Sequence, residues 1–218
     1  MSFDVFALLS FSIFIAAGFG VYRFKLVDPG FYPFIGFTVL ASLNEIYSYV
    51  VVAVFKTSNI PNNNIYVLLE AFILTWQFFR WNLFGQKEWK YYTMQSLFLL
   101  IWFAEWYSEQ SLYVVFHLYR IAASALLSFF ALGLLSKLTF SNLAILSKDS
   151  RFIICLAVIT LYPFKIFTEL FWLFGSISSH GFLYNIYEWF GYINFIINLF
   201  LILAVIWIPK KPRYITFT

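Results

Sequence analysis

Continuous apolar runs of about 20 residues recur along this chain, and each is long enough to cross the roughly 30 Å hydrocarbon core of a bilayer as an α-helix. A membrane β-barrel would instead show short segments of alternating polarity. Hydrophobic residues make up 62% of the chain and charged residues 11%, whereas a soluble domain needs about a quarter of its residues charged. The runs therefore predict an all-α polytopic membrane protein.

Seven transmembrane helices are predicted in a single domain covering residues 1–218. Turn-forming sequences separate the runs, such as Asp28-Pro29-Gly30 and Ile60-Pro61-Asn62-Asn63-Asn64. The predicted spans lie near residues 3–22, 31–55, 65–84, 91–107, 111–136, 151–175 and 181–208.

Basic residues are distributed unequally between the predicted loops. Of the 14 Lys and Arg residues, eleven fall in the odd-numbered loops or the C-terminal tail, two fall inside spans, and Lys56 alone falls on the other side. Because cations near span ends are retained on the cytoplasmic side, we expect the N-terminus outside and the C-terminus in the cytoplasm. The residues before the first span lack the basic region of a cleaved signal peptide, so this span is expected to persist.

Eight ionisable residues fall inside the predicted spans, where an unpaired ion costs at least about 2.5–3.5 kcal/mol. They are Glu45, Glu70, Glu105, His117, Arg120, Lys165, Glu169 and Glu188. With a rise of 1.5 Å per residue, all except Glu105 are expected in the outer half of the bilayer. Glu105 is expected at the boundary with water.

Residues three, four and seven apart share a helix face, and this spacing places the ionisable residues other than Glu105 on polar stripes. The other stripe residues are Thr38, Ser42, Tyr49, Gln77, Ser124, Ser128 and Asn185. The stripes predict an outward-facing cavity around Arg120 and Lys165, and its ligand-binding residues would be Glu45, Glu70, His117, Arg120, Lys165, Glu169 and Glu188. The alternative is that these residues form structural ion pairs that clamp helices together. Asn194 and Asn198 are expected to form hydrogen bonds between helices.

Several functional classes lack their diagnostic residues. A retinal protein needs a lysine deep in the last span, whereas the deep lysine here is Lys165 in the sixth. With His117 and His180 as the chain's two histidines, a zinc centre is not expected. The single cysteine, Cys155, allows no intrachain disulfide. No metal, cofactor or nucleic-acid partner is predicted.

One heptad occurs twice, as Tyr32–Thr38 in the second span and Tyr162–Thr168 in the sixth, with five of seven residues identical. Such a repeat would make spans 1–3 and 5–7 parallel three-helix units joined by span 4. The prolines of the heptads would then be hinges. In helix count, orientation, length and prolines the chain resembles SWEET sugar carriers and KDEL-receptor-like proteins, but it lacks the Pro-Gln dipeptide of their wider group. No function is transferred from this resemblance.

Three functions are compatible with these features. The first is a transporter or receptor that binds a small anionic or zwitterionic solute in the outer-half cavity. The second is an accessory or sensor subunit that binds another membrane protein or a second copy of itself. The third, an intramembrane enzyme acting on lipid through paired glutamates, is the least favoured because no nucleophile is evident. Compact loops without glycosylation acceptors favour a bacterial inner membrane.

Overall fold

The computed structural model describes residues 3–85, 87–139, 148–174 and 180–211, and every regular element within them is helical. This confirms the all-α prediction. The helices are α1 (Phe3–Ser10), α2 (Ile13–Arg23), α3 (Tyr32–Tyr49), α4 (Ile60–Arg80), α5 (Glu88–Glu109), α6 (His117–Thr139), α7 (Ser150–Phe174) and α8 (His180–Trp207). A 3₁₀ turn (Pro29–Phe31) precedes α3 and a π turn (Val50–Val54) follows it.

Within the described ranges, five helical segments are long and apolar enough to cross a membrane. They are Val5–Arg23, Pro29–Val54, His117–Leu138, Ser150–Phe174 and Glu188–Trp207. The remaining two long helices, α4 and α5, are more polar. Asparagines and Glu70 lie along α4, and charged residues begin and end α5. The chain thus has the helices of a polytopic membrane protein. Five of the described segments are long and apolar enough to cross a membrane, whereas seven spans were predicted.

The first predicted span is divided at Phe11-Ser12, between α1 and α2. The Ser12 hydroxyl donates to the Leu9 carbonyl oxygen at 2.6 Å, a local bond that competes with the helical ladder. Asn198 on α8 donates to Ser12 Oγ at 3.0 Å and to the Ser10 carbonyl oxygen at 3.4 Å. The prediction that Asn198 bonds between helices is confirmed, and the bond stabilises the break.

Two helices begin at residues other than the starts of the predicted spans. Helix α4 begins at Ile60 rather than Ile65, because Pro61 lies in its first turn, where the missing proline N–H costs nothing. Helix α6 begins at His117 rather than Ser111, since residues 111–116 form a loop held by α4.

At the start of α7, the Asp149 carboxylate accepts from the Arg151 backbone N–H at 2.8 Å. Burial alone would raise the pKa of Asp149, but its bonds to Arg151 lower it below the usual value.

The repeated heptads lie at different positions in their helices. Tyr32 opens α3, so Pro33 occupies the first turn, whereas Pro163 lies inside α7. A proline in the first turn leaves no helical hydrogen bond broken, so Pro33 is not an intrahelical hinge. Of the two prolines, Pro163 is the one placed to bend a helix, and the hinge stays a prediction.

The helices pack in a closed sequence around an apolar core. Helix α2 packs on α3, α3 on α4, α4 on α6, α6 on α7, α7 on α8, and α8 returns to α2. Helix α5 packs on α4 and α6, beside this ring. The largest fully buried side chains include Phe34, Phe78, Phe116, Tyr119 and Ile154.

The basic loops meet at one end of the bundle, which we call the basic end. The segments after α2 and after α8 form a bridge, in which the Lys211 N–H donates to the Leu26 carbonyl oxygen at 2.9 Å. Arg23 donates to the Val205 carbonyl oxygen at 2.6 Å, a cation at the C-terminal end of α8. Lys137 donates to the Leu83 carbonyl oxygen at 2.9 Å, which joins the ends of α4 and α6.

Candidate functional site

The predicted site residues cluster toward the end of the bundle opposite the basic end. Gln77 marks the basic end on α4, because its amide bonds the Gly30 carbonyl oxygen at 2.6 Å and the Phe34 N–H at 2.7 Å. Asn64 precedes Gln77 by thirteen residues (77 minus 64) in the same helix, a distance of about 20 Å along the axis. Gln77 therefore anchors the start of α3 and does not share a site with Glu70, contrary to the predicted stripe.

The first cluster joins α7 to α4. Lys165 Nζ lies 3.0 and 3.1 Å from the two carboxylate oxygens of Glu70, and 4.7 Å from the centre of the Tyr162 ring. The Glu70 side chain is 2% exposed and that of Lys165 22%. The Glu70 charge also acts on the hydroxyls of Tyr66, Tyr119 and Tyr162. The carboxylate is thus enclosed in protein, while the ammonium lies closer to the surface.

The second cluster joins α7 to α6, one turn beyond Lys165. Glu169 Oε2 lies 2.5 Å from His117 Nδ1, and Glu169 Oε1 accepts from Arg120 at 3.1 Å. These three side chains are 14–24% exposed. Lys165 and Glu169 are four residues apart and could have paired with each other. Instead, each bonds a different helix, so α7 is tied to both α4 and α6.

Asn64 connects the second cluster to the loop before α6. Its side-chain oxygen accepts from Arg120 at 3.3 Å and from the Phe116 N–H at 3.3 Å. Its side-chain nitrogen donates to the carbonyl oxygens of Leu112 at 3.0 Å and Val114 at 2.7 Å. Asn64 was not among the predicted site residues, because it lies in a Pro-Asn run typical of turns.

Glu105 was expected at the boundary with water, but it is buried and binds the start of α6. It is 9% exposed, and its two carboxylate oxygens accept from the N–H groups of Leu118 at 3.0 Å and Tyr119 at 2.6 Å. An anion at the first turn of α6 satisfies free N–H groups and the positive end of the helix dipole.

Glu45 and Glu188 are the remaining two predicted site residues. Glu45 is partly buried on α3, where the Lys165 charge acts on it. Glu188 lies near the start of α8 and is partly exposed; its placement in a binding site stays a prediction. Asn185, also named in the stripes, has a side chain outside the described part of the chain, as does that of His180.

Three hydroxyls of the predicted stripes bond their own helices. Thr38, Ser42 and Ser128 each donate to a backbone carbonyl three or four residues earlier, at 2.8, 2.9 and 2.8 Å. A small cavity of about 20 Å³ lies between α3, α4, α7 and α8, and it is lined by apolar side chains such as Phe34, Leu74 and Ile197. That volume holds about one water molecule. The solute cavity therefore stays a prediction.

Three buried polar atoms around the clusters have no hydrogen-bond partner among the described residues: Arg120 Nε and the hydroxyl oxygens of Tyr119 and Tyr162. Buried polar groups are paired in the great majority of cases, so such atoms need an explanation. Within the same residues, no group of three His, Cys, Asp or Glu side chains is placed to hold a metal ion. Comparisons of the chain with protein-family models, curated proteins and solved structures find no match.

Proposed function

We propose that this protein is a membrane transporter or receptor that binds a small anionic or zwitterionic solute beside α3, α4, α6 and α7. One observation carries the proposal: two charged clusters, each partly exposed, join three helices at the same end of an apolar bundle. Buried ion pairs often stabilise no better than apolar packing, and charges within a membrane usually mark a ligand or ion pathway. In this proposal Arg120 contacts the anionic group of the solute.

The proposal includes seven membrane spans, with the basic end in the cytoplasm of a bacterium and the site toward the outside of its inner membrane. Helices α4 and α5 would cross the bilayer with their polar groups turned toward the bundle. Glu70 and Glu105 support this, since both are buried against other helices. The cation distribution supports the orientation.

The packing order supports a parallel repeat better than the heptads do. In each half the middle helix packs on both outer ones: α3 between α2 and α4, and α7 between α6 and α8. The contacts α4 to α6 and α8 to α2 join the halves in the same manner. Helix α5 would be the linker between the two units.

The test is a binding screen on the purified protein in mild detergent with phosphate, succinate, glutamate and other amino acids as probes. We expect at least one probe to raise the melting temperature of the wild type, and Arg120→Ala to lose that shift. Arg151→Ala is the matched control, because this arginine pairs with Asp149 away from the site at 2.7 Å. Undiminished probe binding by a folded Arg120→Ala protein would refute the assignment.

Helix α5 favours a second candidate, an accessory subunit of a membrane complex. It lies beside the ring of helices and presents several exposed aromatic side chains: Trp89, Tyr92, Phe103, Trp106 and Tyr107. Aromatic residues are enriched both at membrane interfaces and at protein contacts. A stoichiometric partner chain or a second copy retained after gentle solubilisation would favour this candidate, whereas a monomer would count against it.

A further inference from the structure

His117 uses one nitrogen of its ring in the second cluster and leaves the other without a partner. Nδ1 lies 2.5 Å from Glu169 Oε2, whereas Nε2 forms no hydrogen bond among the described residues. The side chain of His117 is 24% exposed and that of Glu169 14%. Because an ionised carboxylate only accepts hydrogen bonds, Nδ1 carries a hydrogen whether the ring is neutral or charged. The nitrogen that gains or loses a proton is therefore Nε2.

The charge of the second cluster depends on that proton. With a neutral imidazole, the Arg120 guanidinium and the Glu169 carboxylate, 3.1 Å apart, balance each other. Lys165, the next charge along α7, is already paired with Glu70 at 3.0 Å. With a proton on Nε2, two cations share the Glu169 carboxylate. Because a net charge is costly in an apolar bundle, an added anion would stabilise the protonated cluster.

The other helices packed against α6 already use the polar groups that they bring to this cluster. Helix α4 contributes the neutral Asn64, which accepts from Arg120 at 3.3 Å. Helix α5 contributes Glu105, whose charge interacts with that of His117. Both Glu105 oxygens are bound, however, to N–H groups in the first turn of α6, at 3.0 and 2.6 Å. The positive end of the helix dipole offsets the Glu105 charge there.

Two N–H groups on α6 are thus left for an anion. Arg120 Nε is buried and has no hydrogen-bond partner in the described part of the chain, and the second group is the protonated Nε2 of His117. The two residues are three apart and share a face of the helix. We infer that an anionic group of the solute binds both, so that binding takes up one proton from water at His117.

The inference rests on the proposed function and makes its anion site proton-coupled. In a transporter, such coupling carries one proton with each anion. In a receptor, it makes the response to the anion stronger at lower pH. The reason is the same in both, since the anion and the proton each favour the state in which the other is bound.

The test measures proton uptake on anion binding to the full-length protein in detergent. Sulfate and methanesulfonate are the probes, because neither titrates in the range of about pH 5 to 8 in which an imidazole does. Isothermal titration calorimetry in buffers of unequal ionisation enthalpy counts the protons. We expect uptake of up to one proton per anion, and an affinity that decreases by up to about tenfold for each pH unit.

His117→Asn is the test variant, because its amide nitrogen can donate to Glu169 in place of Nδ1. It should bind without proton uptake, and its affinity should be independent of pH over the same range. His180→Gln is the matched control, since it removes the chain's other imidazole and should keep the uptake of the wild type. Anion binding by the wild type without proton uptake, equal uptake by His117→Asn, or loss of uptake in His180→Gln would overturn the inference.

His180→Gln also allows a measurement that leaves His117 intact. It carries a single imidazole, and nitrogen-15 NMR distinguishes the neutral ring from the cationic one. Because the coupling is reciprocal, saturating sulfate should increase the cationic fraction at fixed pH. An unchanged fraction at saturation, or no binding of either probe anion, would overturn the inference. The proposed function would survive such a result if succinate or glutamate still bound through Arg120, and would fail with it if no probe bound.

Discussion

Asn64 uses its side-chain oxygen, its side-chain nitrogen and its backbone carbonyl to hold three separate parts of the molecule. The side chain bonds the loop before α6 and Arg120, while the backbone carbonyl oxygen accepts from Trp102 Nε1 at 3.0 Å. The residue is 1% exposed. Its removal would leave several buried groups without partners, and each such group costs more than the net value of a formed hydrogen bond.

We therefore expect Asn64→Ala to lower the free energy of unfolding by about 2–3 kcal/mol. Asn63→Ala is the matched control, because Asn63 is adjacent in α4 and only partly buried; its effect should stay within about 0.5 kcal/mol. Urea unfolding in detergent, followed by tryptophan fluorescence, measures both. Equal stability of the two variants would contradict this account of Asn64.

At the level of the element, α6 depends on a residue that precedes it in the chain. Its first turn receives Glu105 from α5 in place of a local capping residue, and the loop that leads into it is held by α4. The start of α6 is therefore a tertiary feature. This explains why the hydropathy of the sequence placed the start of this span too early, at Ser111.

Glu105→Ala should destabilise the protein by about 1–2 kcal/mol, the range for loss of a helix cap. Protection of the amides of Leu118 and Tyr119 from hydrogen exchange should decrease with it. Glu109→Ala removes a carboxylate from the exposed face of the same helix and should leave both properties unaltered. Unchanged exchange in Glu105→Ala would show that the cap contributes little.

At the scale of the whole molecule, the two ends of the bundle differ in charge: basic loops lie at one end, and paired acidic and basic side chains lie toward the other. The basic end collects the loops after α2 and α4, the end of α6 at Lys137 and the segment after α8, and the two charged clusters lie toward the other end. With the basic end in the cytoplasm, the clusters would face outward. If α4 and α5 both cross the bilayer, the loop before α4, the loop between the two helices and the loop after α5 lie on alternating sides of the membrane.

Cysteine labelling with a membrane-impermeant maleimide tests this arrangement. With seven spans, Ser58→Cys and Ser108→Cys should react in intact cells, and Lys87→Cys only after permeabilisation. If α4 and α5 do not cross, all three should react from outside. Cys155 is buried, so the wild type is the unlabelled control. Labelling of Lys87→Cys alone in intact cells would reverse the proposed orientation.

Several parts of the site were predictable from local patterns. The spacing of Lys165 and Glu169 placed them on one face of α7, and that of His117 and Arg120 did the same on α6. The prediction that these charges would meet Glu70 in one half of the bundle is consistent with the observed contacts. The partner of each charge was not predictable, because opposite charges four residues apart can equally pair within their own helix.

The preference of a segment for membrane or water is the sum of its own transfer free energies. Composition and order therefore determine the helical class, the approximate helix positions and the unequal placement of the cations. A contact between Asn64 and the loop before α6, or between Glu105 and the first turn of α6, instead depends on which helices pack together. Many pairings satisfy the same hydropathy pattern, and only the packed bundle selects one of them. For this reason the tertiary structure alone distinguishes the charges that pair with each other from Glu45, which has no direct partner among the described residues.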